Sequence, residues 1–166
     1  MIEYFNAQKT PKNTPAPHGK SLLPFLTDNR YKSRDYAIYG WFGMPVNITD
    51  GKYTYFCCPE NNDGPMNAYM SSTAFYRGFL GRENPEATEM GRFLPYTNYP
   101  VYKVPYLVRN NLKVKKVSQL FDIESDYAQL NPLDDQVLIQ KMRGVLMEML
   151  KNHDSPKDQY ERLNLC

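Results

Sequence analysis

Cysteine is scarce in this chain of 166 residues: three occur, as the adjacent pair Cys57 and Cys58 and the terminal Cys166. Such a set makes no even, spaced framework, so a fold stapled by disulfides is excluded and the redox compartment is left open. Histidine is scarcer, with only His18 and His153, which fall in different elements. Adjacent cysteines are also poorly placed to share one tetrahedral zinc, so a His/Cys metal centre is not expected. Charge of one sign is missing too: 20 Lys and Arg against 18 Asp and Glu leave a net +2, too little for a nucleic-acid binder working through a basic stripe. No apolar run approaches the roughly 18 residues that span a bilayer. The opening MIEYFNAQKTPKN lacks the basic and apolar regions of a signal peptide, so the chain as given reads as soluble and untargeted, with its compartment unknown. P-loop, G-x-G-x-x-G, G-x-S-x-G and H-E-x-x-H patterns are absent, which removes the common phosphate-cradling and nucleophilic constellations.

What the chain does have is 14 Tyr, 8 Phe and 13 Pro, with 42% hydrophobic residues. Together with a mean hydropathy of −0.64, this suggests aromatic strands joined by long ordered loops. Its length suits one domain able to bury a core. Met1 to Asn6 reads as a scrap of regular structure, and Lys9 to Gly19, with three prolines, as a linker or extended arm. Ser21 to Leu26 (SLLPFL) is a short apolar anchor broken by Pro24. Between residues 35 and 58 the pattern predicts two or three antiparallel strands, with Asp50-Gly51 as the two central residues of a hairpin turn. Imperfect alternation from Lys52 to Cys57 implies a strand covered on both faces. MSSTAFY is a further strand or a helix start, and Gly78 to Pro100 a long excursion of the kind that often carries function. Pro105 within VYKVPYLV predicts an edge or unpaired strand, and Leu112 to Ile123 a last strand pair. The clearest helix begins at Asp134 and Asp135, with Val137, Leu138, Met142, Val145, Leu146, Met149 and Leu150 on one face. Ser155-Pro156 then predicts an N-cap with proline at the first helical position of a short terminal helix.

Local signals for chemistry have simpler structural explanations. Asp134 and Asp135 fit helix capping, and Asp122, Glu124 and Asp126 lack the glycine and closing glutamate of a calcium loop. Asn47-Ile48-Thr49 matches a glycosylation sequon, a pattern that often arises by chance, and more simply supplies a strand leading into the hairpin.

Four ordered segments carry a resemblance. HGKSLLPFL (18–26) resembles the G-[KR]-S-L-L-P-L-L segment that follows the catalytic domain in sulfatases of the alkaline-phosphatase superfamily. YAIYGWFGMPVNITDGKYTYF (36–56) resembles the G-x-F-G…V-x-[VI]-T-D-G-x-Y-T-Y stretch of bacterial arylsulfatase-like proteins. QLFDIESDYAQLNPLDD (119–135) is similar to their L-[FY]-D-[LI]-x-x-D-P-x-Q…N-L segment, with Tyr127 in place of the usual proline. SPKDQYERLNL (155–165) resembles A-P-x-x-Q-Y-x-R-L-G-L, with Asn164 in place of the common glycine.

The resemblance implies an α+β C-terminal sulfatase subdomain: a small antiparallel sheet of about four strands, a packed C-terminal helix and long loops. Residues 1–30 would be a remnant of a catalytic-domain helix, seen in IEYF (2–5), plus linker and anchor; 31–166 would be the subdomain. The family's [CS]-x-P-x-R nucleophile, matured to formylglycine, and the Asp, Asn or Gln ligands of its Ca²⁺ would precede Met1, so no catalytic residue, metal ligand or cofactor is expected in this chain. Cys57-Cys58-Pro59-Glu60-Asn61 imitates the motif without its arginine and follows a hairpin strand instead of opening a helix. Such a part would be inactive alone and form one wall of a cleft for a sulfated glycan or aryl sulfate, with Arg34, Tyr69, Arg77 and Arg92 as the side chains able to face substrate. Its partner would be a sulfatase catalytic domain, in the same chain or a separate one, or a second copy through the exposed docking face. No nucleic acid or membrane span is expected. The alternative is a free-standing glycan- or protein-binding module; a sulfatase or phosphatase in its own right ranks last.

Overall fold

In the computed structural model, residues 19–28, 30–59, 66–75, 78–80, 84–105 and 117–165 are described. The expected element at Met1–Asn6, nearly all of the 9–19 linker, His18, Arg77, part of the Cys57–Asn61 motif and the 112–116 stretch of the last strand pair lie outside them. The strands are β1 (Ala37–Gly40), β2 (Val46–Thr49), β3 (Tyr53–Cys57), β4 (Asn67–Met70), β5 (Ala74–Phe75), β6 (Gly78–Phe79), β7 (Glu89–Gly91), β8 (Val101–Pro105) and β9 (Gln119–Asp122), and the α-helices are α1 (Gln136–Asn152) and α2 (Lys157–Arg162). The class is α+β, as expected: a four-stranded antiparallel sheet ordered β1-β2-β3-β9, a three-stranded one ordered β4-β8-β7, and the β5-β6 pair.

The register of the larger sheet sets its core. Ile38, Ile48, Tyr55 and Leu120 stand opposite one another across its four strands, and Val46 stands beside Cys57 in the next row of the same face. Residues two apart share a face, so this face is apolar, and Met142, Leu146 and Leu150 of α1, at helical spacing, close over it with Leu163 and Leu165. The opposite face also holds buried groups, Thr54 and Phe121. Phe56 and Phe121 meet edge to face with ring centroids 5.7 Å apart. That is the two-sided burial implied by the imperfect alternation of β3.

Several expectations need correction. Carrying the β2–β3 register past Thr49↔Thr54 sets Asp50 opposite Tyr53, so Gly51-Lys52, not Asp50-Gly51, are the two connecting residues. Gly51 takes φ +97° there, a conformation open to glycine without steric cost. Asp50 serves from the flank, its Oδ1 accepting from the Lys52 and Tyr53 amides at 2.9 and 2.7 Å. β8 is the central strand of its sheet, not an edge. Its partner β7 pairs only with Val101 to Lys103, so no ladder on that side calls for the amide that Pro105 lacks. The Gly78–Pro100 excursion contains β6, a 3₁₀ turn at Pro85–Ala87 and β7.

Asp135 caps α1, accepting from the Leu138 amide at 2.9 Å. Val137, however, is 84% exposed and off the packed face. Pro156 is itself the cap residue of α2, and the Ser155 side chain makes no capping bond. Both helices end on a left-handed residue, Asp154 (φ +52°) and Asn164 (φ +49°). The amides that follow, Ser155 and Leu165, reach back to the Leu150 and Tyr160 carbonyls, both at 3.0 Å, as in a Schellman ending. SLLPFL forms a 3₁₀ turn, Leu23–Leu26, with no buried residue.

Candidate functional site

The β1–β2 connection is a tight turn whose Met44 amide donates to the Trp41 carbonyl at 2.9 Å. Its base is closed by Gly40, where a Cβ would stand 2.7 Å from the Pro45 carbonyl oxygen. The turn lifts Trp41 and Phe42 into solvent, 84% and 56% exposed. Below it opens a cleft of about 550 Å³, bounded by this turn, by Asn67 and Tyr69 of β4, by Leu94 and Tyr96, and by the stretch from His153 into α2.

Asp158 and Arg162 are one helical turn apart on α2 and so share a face. The Asp158 carboxylate accepts through one oxygen, Oδ2, from Asn67 Nδ2 at 2.7 Å and from the Tyr69 hydroxyl at 3.2 Å. Burial, then the adjacent Asp158, push the Tyr69 pKa up to about 12, so this hydroxyl remains a donor. Arg162 is a buried cation, 6% exposed. Its Nε donates to Gln159 Oε1 at 2.8 Å and its Nη2 to the Met44 carbonyl at 3.1 Å. Burial lowers its pKa, opposed by Cys57 and Asp158. Arg162 forms no ion pair among the described residues. The arginine therefore ties α2 to the turn that carries Trp41 and Phe42.

Of the four side chains singled out in the sequence, the cleft takes in Tyr69 alone among those described. Arg34 is exposed, and Arg92 uses its Nε on the Asn98 carbonyl at 2.7 Å. Trp41, Asp158 and Arg162 went unmarked. A signal for the last two was present in their i, i+4 spacing on a short helix.

Both internal cysteines are buried. Cys57 packs in the sheet–helix core with its Sγ 3.8 Å from the Leu163 carbonyl oxygen, and burial pushes its pKa up to about 11. A nucleophilic cysteine needs the opposite shift and an accessible sulfur. The Cys58 thiol donates to the Val117 carbonyl at 3.2 Å.

The acidic run is structural: Asp122 accepts from the Glu124 and Ser125 amides, and Asp126 from that of Asn131. Backbone hydrogen bonds from Asn131 and Leu130 lower the Asp126 pKa. Among the described residues no group of three or more metal-ligating side chains occurs. Nor is any helix there long and apolar enough to cross a membrane. The sequon asparagine, Asn47, is 8% exposed inside β2 and unavailable for glycosylation in the folded chain. No protein-family profile matches the chain, and no curated protein matches it.

Proposed function

We propose that this chain is the C-terminal subdomain of a sulfatase, a part without catalytic machinery of its own that supports a catalytic domain and forms one wall of the substrate cleft. The observation that carries this reading is where the resembling segments fall. Residues 36–56 are β1 to β3, 119–135 run from β9 to the cap of α1, and 155–165 are α2 with its ending. These segments, separate in sequence, supply the larger sheet, most of the core outside α1, and the Trp41 turn and α2 walls of the cleft. A second detail supports it: position 164, glycine in the family pattern, is a left-handed residue here. The buried state of Cys57 speaks against independent nucleophilic chemistry.

Hydrolysis of 4-nitrophenyl sulfate tests the reading. The purified chain supplied with Ca²⁺ is expected to give no turnover, and the same chain joined to the coding segment that precedes it is expected to give turnover. Activity of the chain alone that disappears in Cys57→Ala would overturn it.

The exposed Trp41 and Phe42 favour a second reading, a free-standing glycan- or protein-binding module. Such a module would bind ligand with no catalytic segment encoded nearby.

A further inference from the structure

We propose that the cleft under the Trp41 turn seats an uncharged sugar ring, with one ring face on the Trp41 and Phe42 side chains and its hydroxyl edge on Asp158 and Arg162. The inference deepens the substrate-wall reading and rests on it only in taking this cleft to be ligand-facing.

The apolar half of the site is held in place before any ligand arrives. Trp41 and Phe42 project from a turn closed by its own hydrogen bond, pinned from below by Arg162 and narrowed at Gly40. Rings displayed to solvent on a braced turn can cover a flat apolar surface with little ordering cost on binding.

The polar half is equally fixed. Asp158 spends only Oδ2 on Asn67 and Tyr69, and its Oδ1 takes no hydrogen bond among the described residues. Arg162 spends Nε and Nη2, and its Nη1 makes none there. One acceptor and one donor without hydrogen bonds among the described residues therefore belong to side chains that line the same cleft from one face of α2, each already oriented by its other contacts.

Neighbouring ring hydroxyls match this pair, because each can donate to a carboxylate and accept from a guanidinium. An anionic group matches it poorly: Arg162 would attract it, but Asp158 and Asp154 line the same cleft. The volume, about 550 Å³, lies within the range of small-ligand sites. Within a sulfatase, the sulfate of the substrate would then point away from this wall.

Trp41 is the only tryptophan in the chain, so its emission reports on the cleft alone. The test titrates the purified chain with the methyl pyranosides of glucose, galactose, mannose, xylose, fucose and N-acetylglucosamine, and separately with sodium sulfate. At least one pyranoside is expected to give a saturable change in Trp41 emission, and sulfate none. Asp158→Asn, with far-UV circular dichroism unchanged, is expected to weaken that binding about tenfold, the scale of one hydrogen bond to a charged group. Phe42→Ala is expected to weaken it as well without altering the fold. No saturable change with any pyranoside, a response to sulfate alone, or full affinity in both folded variants would overturn the proposal. Failure here leaves the sulfatase reading standing, since that reading is decided by whether [CS]-x-P-x-R is encoded upstream of Met1.

Discussion

At the scale of single residues, two buried groups near the end of α2, Arg162 on the helix and Cys57 of β3 against Leu163, act in opposite ways. Arg162 is held because its donors find the Met44 carbonyl and Gln159; removing it leaves both acceptors to find other partners. Arg162→Met is expected to cost about 1–3 kcal/mol in urea unfolding and to change the emission of Trp41, whose turn it braces. Cys57 is held because it is neutral. Its pKa rises from the ordinary 9.0 to about 11 in the folded chain, so the thiol's contribution is complete below about pH 9 and is lost as the pH climbs toward 11. Stability measured by urea is therefore expected to begin falling near pH 9, by a total on the order of 2 kcal/mol from this group. Tyr69, shifted from 10.0 to about 12, extends the fall to higher pH. In Cys57→Ala the decline is expected to start about one unit later, where Tyr69 takes over. An unchanged onset would show that Cys57 is not the group responsible.

At the scale of elements, left-handed helix endings and one close approach fix where chain segments stop. Asn164→Gly should be neutral or mildly stabilising, while Asn164→Ala should cost about 1 kcal/mol, because only the former relieves the φ of +49°. Gly40→Ala should be worse, since the Cβ meets the Pro45 backbone oxygen at 2.7 Å and neither strand can yield without breaking the β1–β2 ladder. Thermal unfolding of the three variants checks the order. Elements were legible where the signal is local. The hairpin was found from Asp50-Gly51, although the side chain of Asp50 takes over hydrogen bonding in the turn and moves its centre by one residue. The packed face of α1 is legible in its period, apart from Val137, which at 100° per residue falls on the side of the helix away from Met142 while its neighbours Leu138 and Ile139 pack on the core. β8 is central despite Pro105 because a proline restricts one amide only and the neighbouring β7 stops at Val101–Lys103, short of it. The cleft is the least legible part: Trp41, Tyr69 and Arg162 lie far apart in sequence, and they meet because α2 contacts both the β1–β2 turn and β4.

At the scale of the whole molecule, the distribution of apolar side chains fits a part made to be covered. Leu22 and Leu26, the cap and the last residue of the 3₁₀ turn, are 65% and 76% exposed. Exposed apolar groups of this kind promote association. The isolated chain is therefore expected to form dimers or larger species as its concentration rises in sedimentation velocity, and Leu22→Ser with Leu26→Ser to reduce this. A monomer over a wide concentration range would mean that the surface is not a docking face. The most direct test of the central claim is the nucleotide sequence that precedes the codon for Met1. An in-frame or adjacent segment encoding [CS]-x-P-x-R together with acidic metal ligands is the predicted result, and a locus without one would contradict the assignment of this chain as part of a sulfatase.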